Sequence, residues 1–451
     1  MTPAATTENV PGGESPGNLG RNFFWMSWSG AVSIANSVLI WIFMARMRDV
    51  DEVGRFAIIM GLYALFFNIV SLGLLPYLIN EISRRITSGT KRESPVLEFI
   101  TSAHVFLLVS GLVSAGLMIA CGFVMSESWQ VRLSTLALSL AMIPTGLLVA
   151  SEATAVSYGR ARLVATISSV ENLIRTVIPI GLIWAGYDLI VICLSFTVIR
   201  FIALTAYAAA AKANLKQFTF SGVEFKRILS VFPTFAGTIL FASINWQAGL
   251  VMLGYLSTEA ESAKYGTASR FLIPVSILMA SYASVIQPAI ASHLNQSNVD
   301  PGKYLSKVMR IPLFAATLAA LCAPFLSEPV LGTFFGSTYK SAAPTLDILA
   351  LSVIPFCLVM MIARGLVAIN AQRVDLIANV LGVIVCLGGG VMLIPRYGAA
   401  GAAISQLLSF LAMAIAETVY ISRKLAGFRI WRAATYSSAS LLIIYMVLWK
   451  H

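Results

Sequence analysis

The chain has 451 residues, 58% of them apolar and 11% charged, with a formal net charge of +11. A soluble domain carries about 25% charged residues, so a mean hydropathy of +0.83 excludes a water-soluble enzyme, and the length is better counted in membrane spans of about 20 residues. The five cysteines (Cys121, Cys193, Cys322, Cys357, Cys386) lie inside apolar runs without CxxC or CxxH spacing, which argues against a disulfide framework or a zinc site.

Residues 1–21 are rich in Gly, Pro, Thr and Glu and read as a disordered cytoplasmic tail. The first apolar stretch starts near Asn22 and lacks a small-residue cleavage pattern after it, so no cleavable signal peptide is expected. Hydropathy predicts helices near 22–45, 55–79, 97–125, 131–157, 163–186, 189–211, 228–256, 266–292, 311–335, 345–369, 374–394 and 398–422. A shorter apolar run, 434–449, is a candidate thirteenth helix within 426–451. The expectation is an all-α polytopic membrane protein. With the N-terminus cytoplasmic, 19 Lys and Arg fall on the inner side and 8 on the outer, which supports that orientation and a place in the cytoplasmic (inner) membrane. Once the basic residues are located in these loops, they report orientation and not a nucleic-acid partner. The outer loops are too short for a folded domain, so function has to lie within the helices.

The two halves lie on one another at a nearly constant offset. Gly54 follows an acidic loop (Asp49, Asp51, Glu52) and precedes Pro76; Gly266 follows Glu259 and Glu261 and precedes Pro288 in the same way. Ile143-Pro144 matches Ile354-Pro355, and Tyr187 matches Tyr397. An even number of spans per copy gives a parallel repeat about an axis along the membrane normal. The expected lobes are 22–215 and 216–425, two pseudo-symmetric six-helix bundles around a central cleft, as in alternating-access carriers.

Ionisable groups in hydrocarbon cost about 2.5–3.5 kcal/mol each and need a partner or a watery cavity. Glu171 and Arg175 are four apart in the fifth span, and Arg200 is at similar depth in the sixth. They form either an anion-attracting wall or ion-coupling site, or a buried ion pair with Arg200 satisfied by carbonyls. Their repeat equivalents, Gly382, Cys386 and Phe410, carry no charge. Glu152 and Arg364 occupy nearly equivalent places and form either a latch between bundles or side chains that snorkel to the inner interface, and Glu417 has the same interfacial explanation. Arg55 and Arg270 open the second and eighth spans, and Arg46 closes the first. Asn245 and Asn36 lie on faces rich in small and hydroxyl residues, which serve either packing seams or a cleft wall. The guanidinium fork suits a diphosphate, and Arg270 is the leading candidate. His104 and His293 are lone interfacial histidines. No catalytic constellation, nucleotide motif or metal spacing is visible, so no cofactor and no metal are expected.

Three segments carry a family resemblance: "RDVDEVGRFAIIMGLYALFFNIVSLGLLPYLINEISRR", "KYGTASRF", and "FFGSTYKSAAPTLDILALSVIPF" followed by "NAQRVDLIANVLG" and "IPRYGAAGAAISQLLS". Over roughly 22–422 the chain resembles the lipid-linked oligosaccharide flippases (Wzx-type polysaccharide transporters) of the multidrug/oligosaccharidyl-lipid/polysaccharide exporter superfamily. The resemblance implies a monomeric carrier. It would move an isoprenoid diphosphate-linked glycan to the outer leaflet for cell-surface polysaccharide such as exopolysaccharide or O-antigen. Membrane lipids would surround it, and a glycan polymerase and glycosyltransferases would act in the same pathway. It also implies a cationic cavity, to which Arg55 and Arg270 answer, with Arg175 and Arg200. Unlike drug-extruding relatives, the first span carries no acidic residue to bind a coupling cation. The alternatives are a multidrug or metabolite cation antiporter on the same fold, and a membrane-embedded glycan polymerase or ligase.

Overall fold

The computed structural model describes residues 38–71, 73–87, 94–125, 128–210, 219–294, 301–369, 371–425 and 427–428. The tail 1–21, Asn36 and the run 434–449 lie outside the described residues, as do the side chain of His293 and the matched Pro288. A chain in hydrocarbon has no solvent for its N–H and C=O groups, so an open spanning segment satisfies them within a helix. Accordingly the described residues form helices and no strand. In order they are α1 Val38–Met47, α2 Val50–Ser71, α3 Leu74–Thr87, α4 Ser94–Met125, α5 Trp129–Ser139, α6 Met142–Ser157, α7 Ala161–Trp184, α8 Leu189–Ala210, α9 Gly222–Leu256, α10 Glu259–Ser269, α11 Leu272–Leu294, α12 Pro301–Val308, α13 Arg310–Phe335, α14 Ala343–Ala368 and α15 Gln372–Lys424. Among the described residues nine helical stretches are long and apolar enough to cross a membrane. The last, α15, reverses at Gly398 (φ 53°, ψ −127°). A Cβ on Gly389 would sit 3.3 Å from Ser405 Oγ, so the two arms lie side by side as a hairpin.

Three expected spans are broken, each with a proline four residues past the break, although Pro179, Pro324, Pro329 and Pro355 lie inside helices that continue. Proline withholds an amide and crowds the carbonyl four residues back. Pro144 faces the interruption at Leu140 between α5 and α6, and Pro274 the one at Arg270 between α10 and α11. Pro76 lies four residues after Leu72, beside Gly73 (φ +68°), where α2 gives way to α3. The breaks after α2 and α5 have no counterpart at the matched offsets in the second half, where α11 and α14 run through.

Packing differs between the two ends of the bundle. At the end carrying the acidic loops, one apolar core runs across both halves, joining Trp41, Phe56 and Leu138 to Leu250, Tyr265, Phe335 and Ala402. At the end carrying the basic loops the core divides. Leu78, Phe99, Leu107 and Ala153 form one cluster, and Ile290, Leu305, Ile362 and Ile421 another. The seam between halves is built on glycine, which lets helices approach closely in the absence of a hydrophobic drive from lipid. A Cβ on Gly61 would stand 2.9 Å from Leu250, and one on Gly254 2.9 Å from Ile58. Gly54 packs directly on the Glu259 backbone, and a Cβ on Gly266 would be 2.8 Å from the Trp41 ring. Both glycines that the repeat pairs therefore lie on the seam, each against the other half.

Helix α9 belongs to both halves. Its first turns join the first-half cluster through Ile228, Phe225 and Phe232. There Glu224 takes Arg85 at 2.8 Å, Arg227 reaches Glu81 at 3.2 Å, and the Ser102 hydroxyl donates to Ser221 O at 3.1 Å. Its far half is tied to α15: Asn245 Oδ1 accepts from Gln406 Nε2 and Ser409 Oγ, each at 3.0 Å, while Asn245 Nδ2 points to Met413 Sδ at 3.1 Å. Asn245 is 2% exposed, so its loss strands the buried Gln406 amide, while the Ser409 hydroxyl keeps Gly382 O at 2.8 Å. Asn245→Ala is expected to cost roughly 1–3 kcal/mol, read as a fall in the unfolding temperature of the detergent-purified protein; an unchanged temperature would remove this network from the stability of the second half.

Candidate functional site

A hollow of about 460 Å³ lies between the halves, walled by α1, α2, α7 and α8 on one side and by Arg270, Ile273 and Ile277 on the other. A second hollow of about 160 Å³ adjoins it. The two share Ala64, Arg270 and Ile273 as lining residues. Three guanidinium groups reach it: Arg175, Arg200 and Arg270.

Each arginine is held differently. Arg270 caps α10 at the break four residues before Pro274; its Nε donates to Gly266 O at 3.3 Å, and its guanidinium lies 4.1 Å over the Trp41 ring. An aromatic face stabilises a cation without neutralising it, and among the described residues Arg270 has no ion pair. Arg200, on α8, sits 2.9 Å from Glu171 and 5.0 Å from the centre of the Phe67 ring. Arg175, one helical turn from Glu171 on α7, is 3.7 Å from the same carboxylate oxygen and donates to Asn172 Oδ1 at 3.2 Å. The sequence left open a cavity wall or an ion pair, and the structure combines them: Arg200 is met by Glu171 and not by carbonyls, while both arginines keep a side toward the hollow.

Other expected residues are placed elsewhere. Arg55 does not line the hollow. Its Nε donates to Glu259 at 2.7 Å and its Nη1 to Gln130 at 2.6 Å, closing the acidic-loop end between α2 and α10. Arg46 is likewise spent across the halves, donating to Phe334 O at 3.0 Å and to Thr333 O. Asn245 is sealed in the α9–α15 network instead of forming the cleft wall. Glu152 and Arg364 do not meet as a latch: Glu152 lies within electrostatic reach of Arg200 and Glu171, and Arg364 within that of Asp375. Glu417, read as interfacial, is fully buried beside Asp375. His104 turns Nδ1 to Ile100 O at 2.8 Å and Nε2 to Ser151 Oγ at 3.4 Å.

The sequence reading missed the aromatic lining. Trp41, Tyr63, Phe67 and Phe196 face the larger hollow and Trp246 and Phe410 the smaller. Two signals were present. Tyr63 and Phe67 are four apart on one face of α2, and both Arg175 and Arg270 stand four residues before a proline, Pro179 and Pro274. The carbonyl of each is thus deprived of its helical amide. A space with cations on both walls, flat aromatic faces and closure at one end can take up an anion that also carries rings or chains.

Residues 43–344 match the model of a family described as polysaccharide biosynthesis protein. A stretch of 180 residues is 27% identical to the probable low-salt glycan biosynthesis flippase Agl15 of Haloferax volcanii, covering 38% of this chain and 37% of that protein's length. The fold is similar to that of the lipid II flippase MurJ in an inward closed conformation, with a TM-score of 0.75 and 16% identity over 95% of this chain and 92% of that one. It is also similar to a multidrug resistance MATE family transporter of the MOP superfamily in an inward-facing conformation, with a TM-score of 0.67 and 14% identity over 88% and 94% of the two chains. At these identities the structural likeness shows the fold alone, a two-lobed helical bundle, and the nine long apolar stretches among the described residues make it a multi-pass membrane protein. The family match spans more than half of the sequence, from within α1 to the start of α14, and on that ground the chain belongs to the polysaccharide biosynthesis protein family.

Proposed function

We propose that this protein is a flippase that carries a lipid-linked glycan, an isoprenoid diphosphate bearing sugars, from the cytoplasmic to the outer leaflet by alternating access. The observation that carries the reading is the convergence of Arg175, Arg200 and Arg270 on one aromatic-lined hollow between the halves. Guanidinium forks pair with phosphate oxygens in two-point fashion, aromatic faces suit sugar rings, and the prenyl chain stays in lipid. The acidic-loop end is the outer one in this reading, with the N-terminus cytoplasmic, in agreement with the Lys and Arg bias. The structure described is then outwardly closed by Arg55, Glu259 and Arg46. For a negative-inside membrane, outward passage of a negative group is downhill by about 2.3 kcal/mol per charge per 100 mV, which supplies a direction without a catalytic step.

The MATE likeness fits a cation antiporter equally well in fold, but an arginine-lined hollow repels a cationic drug. The polymerase or ligase reading gains nothing from the similar proteins named above, which are flippases and a transporter.

Arg270→Ala is expected to abolish surface glycan in a host lacking its own copy while membrane abundance stays normal. Arg270→Lys, which keeps charge but not the fork, should give partial export; wild-type export by Arg270→Ala would remove the residue from the site. A second test concerns closure. With Arg55→Cys and Glu259→Cys combined, oxidative cross-linking should arrest export and reductant should restore it. Undiminished export by the cross-linked protein would mean that this end does not open.

A further inference from the structure

Glu171 is a carboxylate paired with two arginines that line a hollow which, on the carrier reading, receives an anion. Its side chain is 10% exposed, and its Oε1 lies 2.9 Å from Arg200 Nη1 and 3.7 Å from Arg175 Nη1. It is not among the residues lining the hollow: the two arginines face the space, and Glu171 stands behind them. Arg270, on the other wall, has an aromatic ring and no carboxylate. Of the three cations, therefore, two are backed by one shared negative charge and one is bare. Glu152 on α6 adds a second, more distant negative charge within reach of Arg200.

This arrangement is poorly suited to binding an anion as tightly as the site could. Removing Glu171 would leave both inner guanidinium groups fully directed at the hollow, in surroundings where charges interact more strongly than in water. A pathway needs binding firm enough for entry and weak enough for exit, and a diphosphate on three unopposed arginines would stay. Resting on the carrier reading above, we propose that Glu171 is a positioning residue that sets the cleft's affinity for a diphosphate. It offsets part of the charge of Arg175 and Arg200, which line the space, so that the bound group is released. Arg270, unopposed, makes the first contact, and the Glu171-backed pair makes the reversible one. The second half has no equivalent pair, since Gly382, Cys386 and Phe410 stand at the matched positions, so the adjustment is made on one wall only.

The test is titration of the full-length, detergent-purified protein with farnesyl diphosphate. Glu171→Gln should bind about tenfold tighter or more than wild type, an amount set by the loss of one nearby charge, while its export falls. Combining Glu171→Gln with Arg175→Gln restores the charge balance and should return affinity to within about threefold of wild type. A merely structural ion pair would lower the unfolding temperature of Glu171→Gln without tightening binding. Equal or weaker binding by that variant, or a double variant as tight as the single one, overturns the proposal. Should Glu171→Gln not fold, Glu171→Asp takes its place: the shorter side chain withdraws from the arginines and should tighten binding by about threefold, and unchanged or weaker binding overturns the proposal. If wild type binds the probe, Arg270→Ala does not, and Glu171→Gln equals wild type, only the role of Glu171 falls. If wild type and every variant fail to bind, the carrier reading falls with it.

Discussion

A guanidinium group at membrane depth must be given polar company or water, and three such groups on facing helices set the terms for this molecule. The company is meagre: Glu171 serves two of them, with the Asn172 amide and the Phe67 ring beside it, and a tryptophan ring the third. The remainder of the requirement is met by space, a hollow beside helices that approach one another on glycine. Gly54, Gly61, Gly254 and Gly266 allow the close helix contact beside that space.

The same seam gives the bundle unequal ends. A single core crosses the halves where Gly54 meets Glu259, and polar ties reinforce it: Arg55 to Glu259, Arg46 to the end of α13, and Glu261 accepting the Ala399 amide at 2.8 Å where α15 restarts after Gly398. Toward the basic loops each half has its own core. Apolar burial therefore binds the halves at one end and leaves them separable at the other, which is the geometry a cleft between two bodies requires.

Much of the fold is legible in the sequence because lipid imposes a simple rule on helix length and composition. The expected spans fall on observed helices throughout the described residues, apart from the three breaks, whose prolines were visible but whose consequence hydropathy does not express. The charged trio was legible for a related reason: a charge in an apolar run stands out. Orientation about a helix axis was not. Arg55 and Arg46 share depth with the cleft, yet Arg55 is claimed by a carboxylate 204 residues away and Arg46 by carbonyls 287 and 288 residues away. Asn245 failed as a cleft residue in the same manner, since its three partners lie on the far arm of α15. The aromatic lining escaped notice because a Tyr or Phe in a membrane helix is compositionally ordinary, and only the fold shows which ones turn inward.

The double membership of α9 constrains how the two bodies can tilt. One extremity is clamped to the first body by Glu224, Arg227 and Ser221, and the other is woven into the second through Asn245. Any rotation that leaves both anchorages intact must be absorbed as flexure of the rod between them. That stretch contains Pro233, which interrupts the amide ladder, and Gly237, the softest backbone unit. On the carrier reading the helix is in effect a leaf spring bridging the two bodies, with its compliant section written into the sequence by those two residues.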